Sequence, residues 1–272
     1  MSDSERRSFI GTMSALLTAV PLALAAGAAQ AKSVKRHEGH SSADDRLTAM
    51  EKQMQEMAVE LGRLRDAQAI RHLQHSYGYY MDKCLYDEVV DLFTEDGEVR
   101  FEGGIYRGRA GQRRLYCEAL RKTFTGGANG PTYGLLLDHL QLQDIIDVAD
   151  DRRSAKARFR CFMQAGSHEE RKESSPGIPR QWWEGGIYEN AYAKGDDGIW
   201  RIRVLSYHVS YQANYEDGWA HSKRAVRAEG ARTYPDDPRG PDELISGALP
   251  TWPDTPIVPF HYRHPVTGKS VV

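Results

Sequence analysis

Cysteine is scarce in this sequence, and what there is carries no pattern. The three cysteines, Cys84, Cys117 and Cys161, form no CxxC pair and no Cys/His finger spacing. Neither a disulfide framework nor a zinc site is therefore expected, and all three read as small core residues. No HExxH or EF-hand loop occurs, and the Gly-rich stretch "GGANGPTYG" has neither GxGxxG opening a helix nor GK[ST], so phosphate binding is not expected there. No metal site and no cofactor is called for. An excess of one charge is also missing: 36 Lys and Arg stand against 38 Asp and Glu, a net charge of −2. That leaves no electrostatic footprint for nucleic acid and no polycationic face for a membrane, and points to a neutral or weakly acidic small molecule as partner.

What is present is ordinary globular composition, 40% hydrophobic and 27% charged over 272 residues, enough for one large or two small domains with a sizeable core. Residues 1–31 are set apart by a charged start, an apolar middle and small residues ending at Ala29-Gln30-Ala31, the pattern of a cleaved signal peptide. Arg6-Arg7 before Ser8-Phe9-Ile10 resembles a twin-arginine export address, which places the mature protein in the periplasm. A lasting membrane anchor is disfavoured, because the apolar run from Met13 to Ala29 contains Pro21 and many small residues.

Residues 32–43 have almost no apolar side chains and read as a spacer. From 44 to 65, Leu47, Met50, Met54, Met57, Leu61 and Leu64 recur at alternating steps of three and four, about three heptads of an apolar seam. The seam fits packing against another subunit, as a homo-oligomer (dimer or trimer), or against the chain's own domain. A domain over 66–220 begins with a second helical region to about Thr94. Two short segments around "EVRFEGG" and "IYRGRAG" follow, then a helix "GQRRLYCEALRKTF" and four long alternating segments from Leu135 onward. Helices first and strands afterwards predict α+β with an antiparallel sheet rather than βαβ units. Residues 221–272 are rich in Pro, Asp and Gly; their Trp252, Phe260 and Tyr262 favour an irregular extension docked on the domain or on a neighbour.

The stretch "YYMDKCLYDEVVDLF" (79–93) sets Asp82 beside an apolar helical stripe, with Tyr79, Asp82 and Tyr86 on one face and Tyr80 at its edge. On the first long strand, His139 shares a face with Leu135, Leu137, Gln141 and Gln143, a face that turns from apolar to polar. Histidine titrates near neutrality and a carboxylate can fix its tautomer, so such a pair is suited to moving protons. Several phenols near one carboxylate suit a hydrophobic, oxygenated aromatic substrate.

The order of these pieces resembles the SnoaL-like branch of the nuclear-transport-factor-2-like superfamily over roughly residues 65–220. They are Tyr80 and Asp82, Tyr86-Asp87, Leu92-Phe93, "GGIYRGRAG", a strand at His139 and "DDGIWRIRVLSY" near the end. The resemblance implies a cone in which a curved antiparallel sheet wraps around helices over one apolar pocket. It also implies a catalytic dyad of a helix aspartate and a strand histidine, here Asp82 and His139. The "YENAYAK" strand and "PFHYRHPVTG" tail are similar to a branch containing cofactor-independent γ-formaldehyde lyases of lignin-derived diarylpropanes and phenylcoumarans. That branch implies elimination through a quinone-methide-like species and release of formaldehyde to give a stilbene. The alternatives within the superfamily are a dehydratase or isomerase of a steroid or polyketide, and a ligand-binding protein without chemistry. Substrate-binding candidates are Tyr79, Tyr80, Arg160, Trp183, Tyr188, His208 and Tyr211; alternation leaves open which of Trp182 and Trp183 faces the pocket, and strand-end packing competes for His208 and Tyr211.

Overall fold

The computed structural model describes residues 42–172, 179–222 and 231–271. The expected leader and nearly all of the spacer lie outside the described residues. Two compact units are distinguished, Met1–Thr48 and Ala49–Val272. In the first, the described residues hold a helix start: Ser42 Oγ accepts from Asp45 N (3.1 Å) and Asp45 Oδ2 accepts from Ser42 N (2.9 Å). This reciprocal cap satisfies two of the amides that a helix N-terminus leaves unbonded.

Helix α1 spans Ala43–Asp82, one element where the sequence reading has two abutting helical regions. Gly62 is the place where Arg152 crosses the helix. A Cβ there would stand 2.2 Å from the Arg152 Nη1. Arg152 then donates to Asp66 Oδ2 (2.6 Å), while Lys194 and the Trp200 indole donate to Asp66 Oδ1 (2.7 and 3.0 Å). About two turns further, Gln74 donates to Gln141 and accepts from Asn190 and Tyr192, and Asn190 accepts from the amide of Ser206. Each group in this buried chain is satisfied, which lets a polar stripe rather than a greasy one fix the helix on the sheet.

Short α2 (Tyr86–Asp91) leads into β1 (Phe93–Phe101) and β2 (Gly104–Arg107). A third helical stretch opens as α3 (Gly108–Arg113), widens to π-helix over Arg114–Leu120 and closes as α4 (Arg121–Thr125) at Gly126, whose φ of +66 suits a glycine stop. Four long strands follow: β3 (Leu135–Val148), β4 (Ser154–Ser167), β5 (Gln181–Lys194) and β6 (Trp200–Asn214). After α5 (Gly218–His221), β7 (Glu243–Leu244) closes the seven-stranded sheet, whose order is β3-β4-β5-β6-β1-β2-β7. The protein is α+β, as expected, with one departure from the antiparallel expectation: β1 runs parallel to β6. The pair joins the first strand to the last of the four long strands, a long-range contact on which local alternation is silent.

The helix-covered face of the sheet holds the core. On β4, Ala155, Ala157, Phe159, Cys161, Met163 and Ala165 are buried, while Lys156, Arg158 and Arg160 take the other face. Tyrosine dominates the interior, with Tyr77, Tyr86, Tyr116, Tyr188, Tyr192 and Tyr207 all buried. The opposite face carries the C-terminal extension. Arg158 donates to the carbonyls of Val258 and Pro259 (2.8 and 2.9 Å), lies 4.1 Å from the Phe260 ring centroid and pairs with Glu189, which also meets His261 Nδ1 (2.8 Å).

Candidate active site at the end of the long helix

The site begins with the way α1 stops. Leu85 N donates to Tyr80 O (2.9 Å) and Cys84 N to Met81 O (3.1 Å), with Cys84 left-handed at φ +53. This is a Schellman closure in which cysteine occupies the position that glycine usually takes, a local strain beside Asp82. One turn earlier, Gly78 lets the helix touch β3: a Cβ there would lie 2.8 Å from Gln141 Cγ and 2.9 Å from the carbonyl of His139. Close approach at residue 78 brings Asp82, four residues on and on the same face, against the strand.

Asp82 Oδ1 accepts the backbone N–H of His139 at 2.6 Å and lies 3.4 Å from His139 Nδ1. Both side chains are only 12% exposed. Nδ1 is buried and has no other partner among the described residues. One carboxylate oxygen thus holds the strand and faces the ring, which leaves Nε2 as the nitrogen free to meet a substrate.

Strand register extends the site across the sheet. His139 pairs with Met163, Met163 with Glu184, and Glu184 with Gln212, so these four share one face in a row over β3, β4, β5 and β6. Two strand spacings put the His139 and Glu184 backbones roughly 10 Å apart, about the width of an aromatic ring plus its contacts. Glu184 is buried and accepts from Tyr207 OH (2.9 Å) and Gln212 Nε2 (2.6 Å). Glu102 sits with a left-handed φ of +46 at the β1–β2 turn, surface-accessible yet hemmed in by protein. Burial, and then the charge of Glu184, hold its carboxyl above the usual carboxylate range. Burial pushes the neighbouring Cys161 thiol up to about 12, which makes it inert as a nucleophile. The arrangement can take a proton at one end and give one at the other.

Of the residues singled out in the sequence, Asp82, His139, Tyr80 and Tyr188 lie on the interior side. Tyr80 packs on the core, and Tyr188 stacks on Tyr207 at 4.4 Å. The others do not join them. Tyr79 is 73% exposed on the far side of α1. Arg160 is exposed on the outer face, bonded to Gln143 (2.7 Å). Trp183 stacks with Phe162 and Tyr215, also outside, and Trp182 is the one that packs inward. His208 pairs opposite Ile187, with its Nε2 3.2 Å from Ser206 Oγ, and Tyr211 lies across Gly185. For the strand residues the reason is parity, and on β6 the register shifts near Gly186 and Tyr192 re-aim the side chains, whereas Tyr79 lies on the solvent side of α1. The sequence reading missed Glu184, Glu102, Tyr207 and Gln212 as site residues. The signal for Glu184 was its alternation with Tyr188 and Asn190; the other three come together only through long-range pairing.

Among the described residues no three His, Cys, Asp or Glu side chains are placed to hold a metal ion. A surface groove lined by Phe93, Arg109, Lys194 and Arg201 does not include the site, and its cations are already paired with Glu95, Asp66 and Asp197.

No curated protein matches the sequence. Solved structures similar to this chain include one from Novosphingobium aromaticivorans assigned as a scytalone dehydratase (19% identity, 63% of this chain and 97% of that one, TM-score 0.45). Others are a hexachlorocyclohexane dehydrochlorinase, LinA type 2 (18%, 57% and 91%, 0.45), and ActVI-ORFA of Streptomyces coelicolor (16%, 53% and 94%, 0.41). The family profile described as SnoaL-like domain matches residues 62–206, more than half of the chain and the whole span from Gly62 through the Asp82 and His139 pair to the middle of β6. This chain belongs to the SnoaL-like domain family.

Proposed function

We propose that the protein is a lyase that eliminates an oxygen leaving group from a hydrophobic oxygenated aromatic substrate by acid/base chemistry of its own side chains. The observation that carries this reading is the Asp82 oxygen shared between the His139 amide and the Nδ1 side of its ring. With Nδ1 protonated and facing the carboxylate, Nε2 is the base, and the imidazolium formed after proton uptake is stabilised in place. Glu102, whose carboxyl is pushed upward by burial and then by the charge of Glu184, is the matching acid. Family membership and the dehydratase and dehydrochlorinase names among similar structures support an elimination-type reaction.

The substrate class that fits best is a lignin-type diarylpropane diol with a free phenol. His139 takes the phenolic proton as the benzylic carbon–oxygen bond breaks, and the departing hydroxyl leaves as water with the proton of Glu102. The resulting quinone methide then gives the proton of its terminal hydroxymethyl group to the Glu102 carboxylate, and the phenolate formed as formaldehyde leaves takes its proton back from the His139 imidazolium. The adjacent carbon–carbon bond breaks, formaldehyde departs, and the electron pair forms the alkene and restores the aromatic ring. The sum is diol to stilbene, formaldehyde and water, with no oxidant or reductant. With the Asp82, Glu184 and Glu102 carboxylates on this side of the sheet, neutral phenols suit the proposed site better than carboxylated substrates do.

The test is incubation with diarylpropane diols and phenylcoumarans, following stilbene absorbance and released formaldehyde. Formation of both in equal amounts supports the reading. Conversion of a steroid or polyketide alcohol without formaldehyde moves the assignment to a dehydratase or isomerase using the same pair.

A further inference from the structure

The exposed stretch of α1 carries an apolar pattern that no other described residue covers. All residues from 42 to 61 are exposed. Along the seam, Leu47, Met50, Met54, Met57, Leu61 and Leu64 are 56%, 60%, 67%, 62%, 48% and 65% exposed. Five helical turns without tertiary support are marginal in water, and an uninterrupted large-residue stripe is costly to leave wet. Among the described residues none packs over the seam from Met50 to Leu64.

The flanking charges identify the occupant. With Leu47, Met54 and Leu61 at a and Met50, Met57 and Leu64 at d, the e positions are Glu51, Ala58 and Arg65 and the g positions are Arg46, Gln53 and Glu60. In a parallel, in-register coil each g side chain meets the following e of the partner. Glu60 then faces Arg65 of the second copy and Arg46 faces Glu51, while Gln53 faces Ala58, and no like charges meet. An antiparallel coil would set Glu51 against Ala58 and Glu60 against Gln53, so that neither glutamate gains a partner. Within the described chain Glu60 and Arg65 make no ion pair with each other or with a neighbour, while Lys52 and Glu56, on the outer f and c positions, pair with each other at 3.9 Å.

We propose that residues 47–64 form a parallel, in-register coiled coil with the same segment of a second copy of this chain. Met54 is then apposed to Met54 and Met57 to Met57, and the charged e and g residues set the orientation. This inference is independent of the proposed chemistry.

The experiment uses the full-length protein with Met54→Cys, oxidised mildly at micromolar concentration. Analytical ultracentrifugation of the unmodified protein and of Met54→Glu/Met57→Glu runs alongside. The expected result is near-complete disulfide-linked dimer through residue 54, at least tenfold weaker association in the double variant, and cross-linking of Met54→Cys that falls with Glu60→Arg alone and is restored when Arg65→Glu is added. Absence of the cross-link with unchanged sedimentation of Met54→Glu/Met57→Glu, both proteins retaining native circular dichroism, would overturn the coil. So would a monomer whose seam variants lose only binding to anionic lipid vesicles, which would make a membrane the occupant.

Discussion

At the residue scale the site rests on contacts that permit no spare atom. Gly78 is the clearest case, since a methyl group there would have to enter the space of Gln141 Cγ and the His139 carbonyl. Gly78→Ala is expected to push α1 away from β3, cost about 1–3 kcal/mol of stability and lengthen the Asp82 contact, lowering turnover more than the stability loss explains. Denaturant unfolding together with kcat of the folded fraction reads both effects. With Glu102 as the proposed proton donor, activity should fall as pH rises through its raised pKa. Glu102→Gln should remove that alkaline limb and lower kcat by roughly 100-fold, read from a pH–rate profile. An unchanged alkaline limb would take the acid role away from Glu102.

At the scale of elements, the sheet works on both of its faces. Alternation along β4 and β5 correctly separates two sets of side chains, yet it carries no sign: nothing local says that Trp182 rather than Trp183 turns inward. The sign is set by α1 on one side and by the C-terminal extension on the other, both distant in sequence. Arg158 shows the second face at work, buried against Glu189, the Val258 and Pro259 carbonyls and Phe260. Arg158→Ala leaves Glu189 buried and poorly paired, and should destabilise the protein by about 3 kcal/mol and open residues beyond 250 to protease. Limited proteolysis followed by mass spectrometry checks it; a protease-resistant tail would show that the aromatics alone hold it. Helix and strand order, the heptad stripe and the pairing of Asp82 with His139 were legible because each rests on spacing or on family resemblance. The Glu184, Tyr207 and Gln212 cluster was not legible, because it depends on the register of three strands and on shifts within β6.

At the scale of the whole molecule, acid stability follows from the polar stripe under α1. Burial raises the Asp66 pKa, but hydrogen bonds from Arg152, Lys194 and Trp200 outweigh it and hold the carboxyl at about 2, below its ordinary 3.8. A depressed folded-state pKa contributes stability above the unfolded value and loses it as pH falls through the folded one. On the order of 2 kcal/mol should therefore disappear between roughly pH 4 and pH 2. Asp66→Asn should remove that portion of the acid dependence, visible as a flatter midpoint against pH in urea unfolding.

The central claim is that the Asp82 and His139 pair moves protons rather than merely tying helix to strand. The most direct measurement compares His139→Ala and Asp82→Asn with the unmodified protein, with turnover of a diarylpropane diol and equilibrium binding of its stilbene product determined on the same preparations. The account predicts turnover reduced at least 1000-fold in His139→Ala, a smaller but large loss in Asp82→Asn, and product affinity within a few-fold throughout. Turnover that survives His139→Ala in a folded protein with unchanged affinity would contradict it.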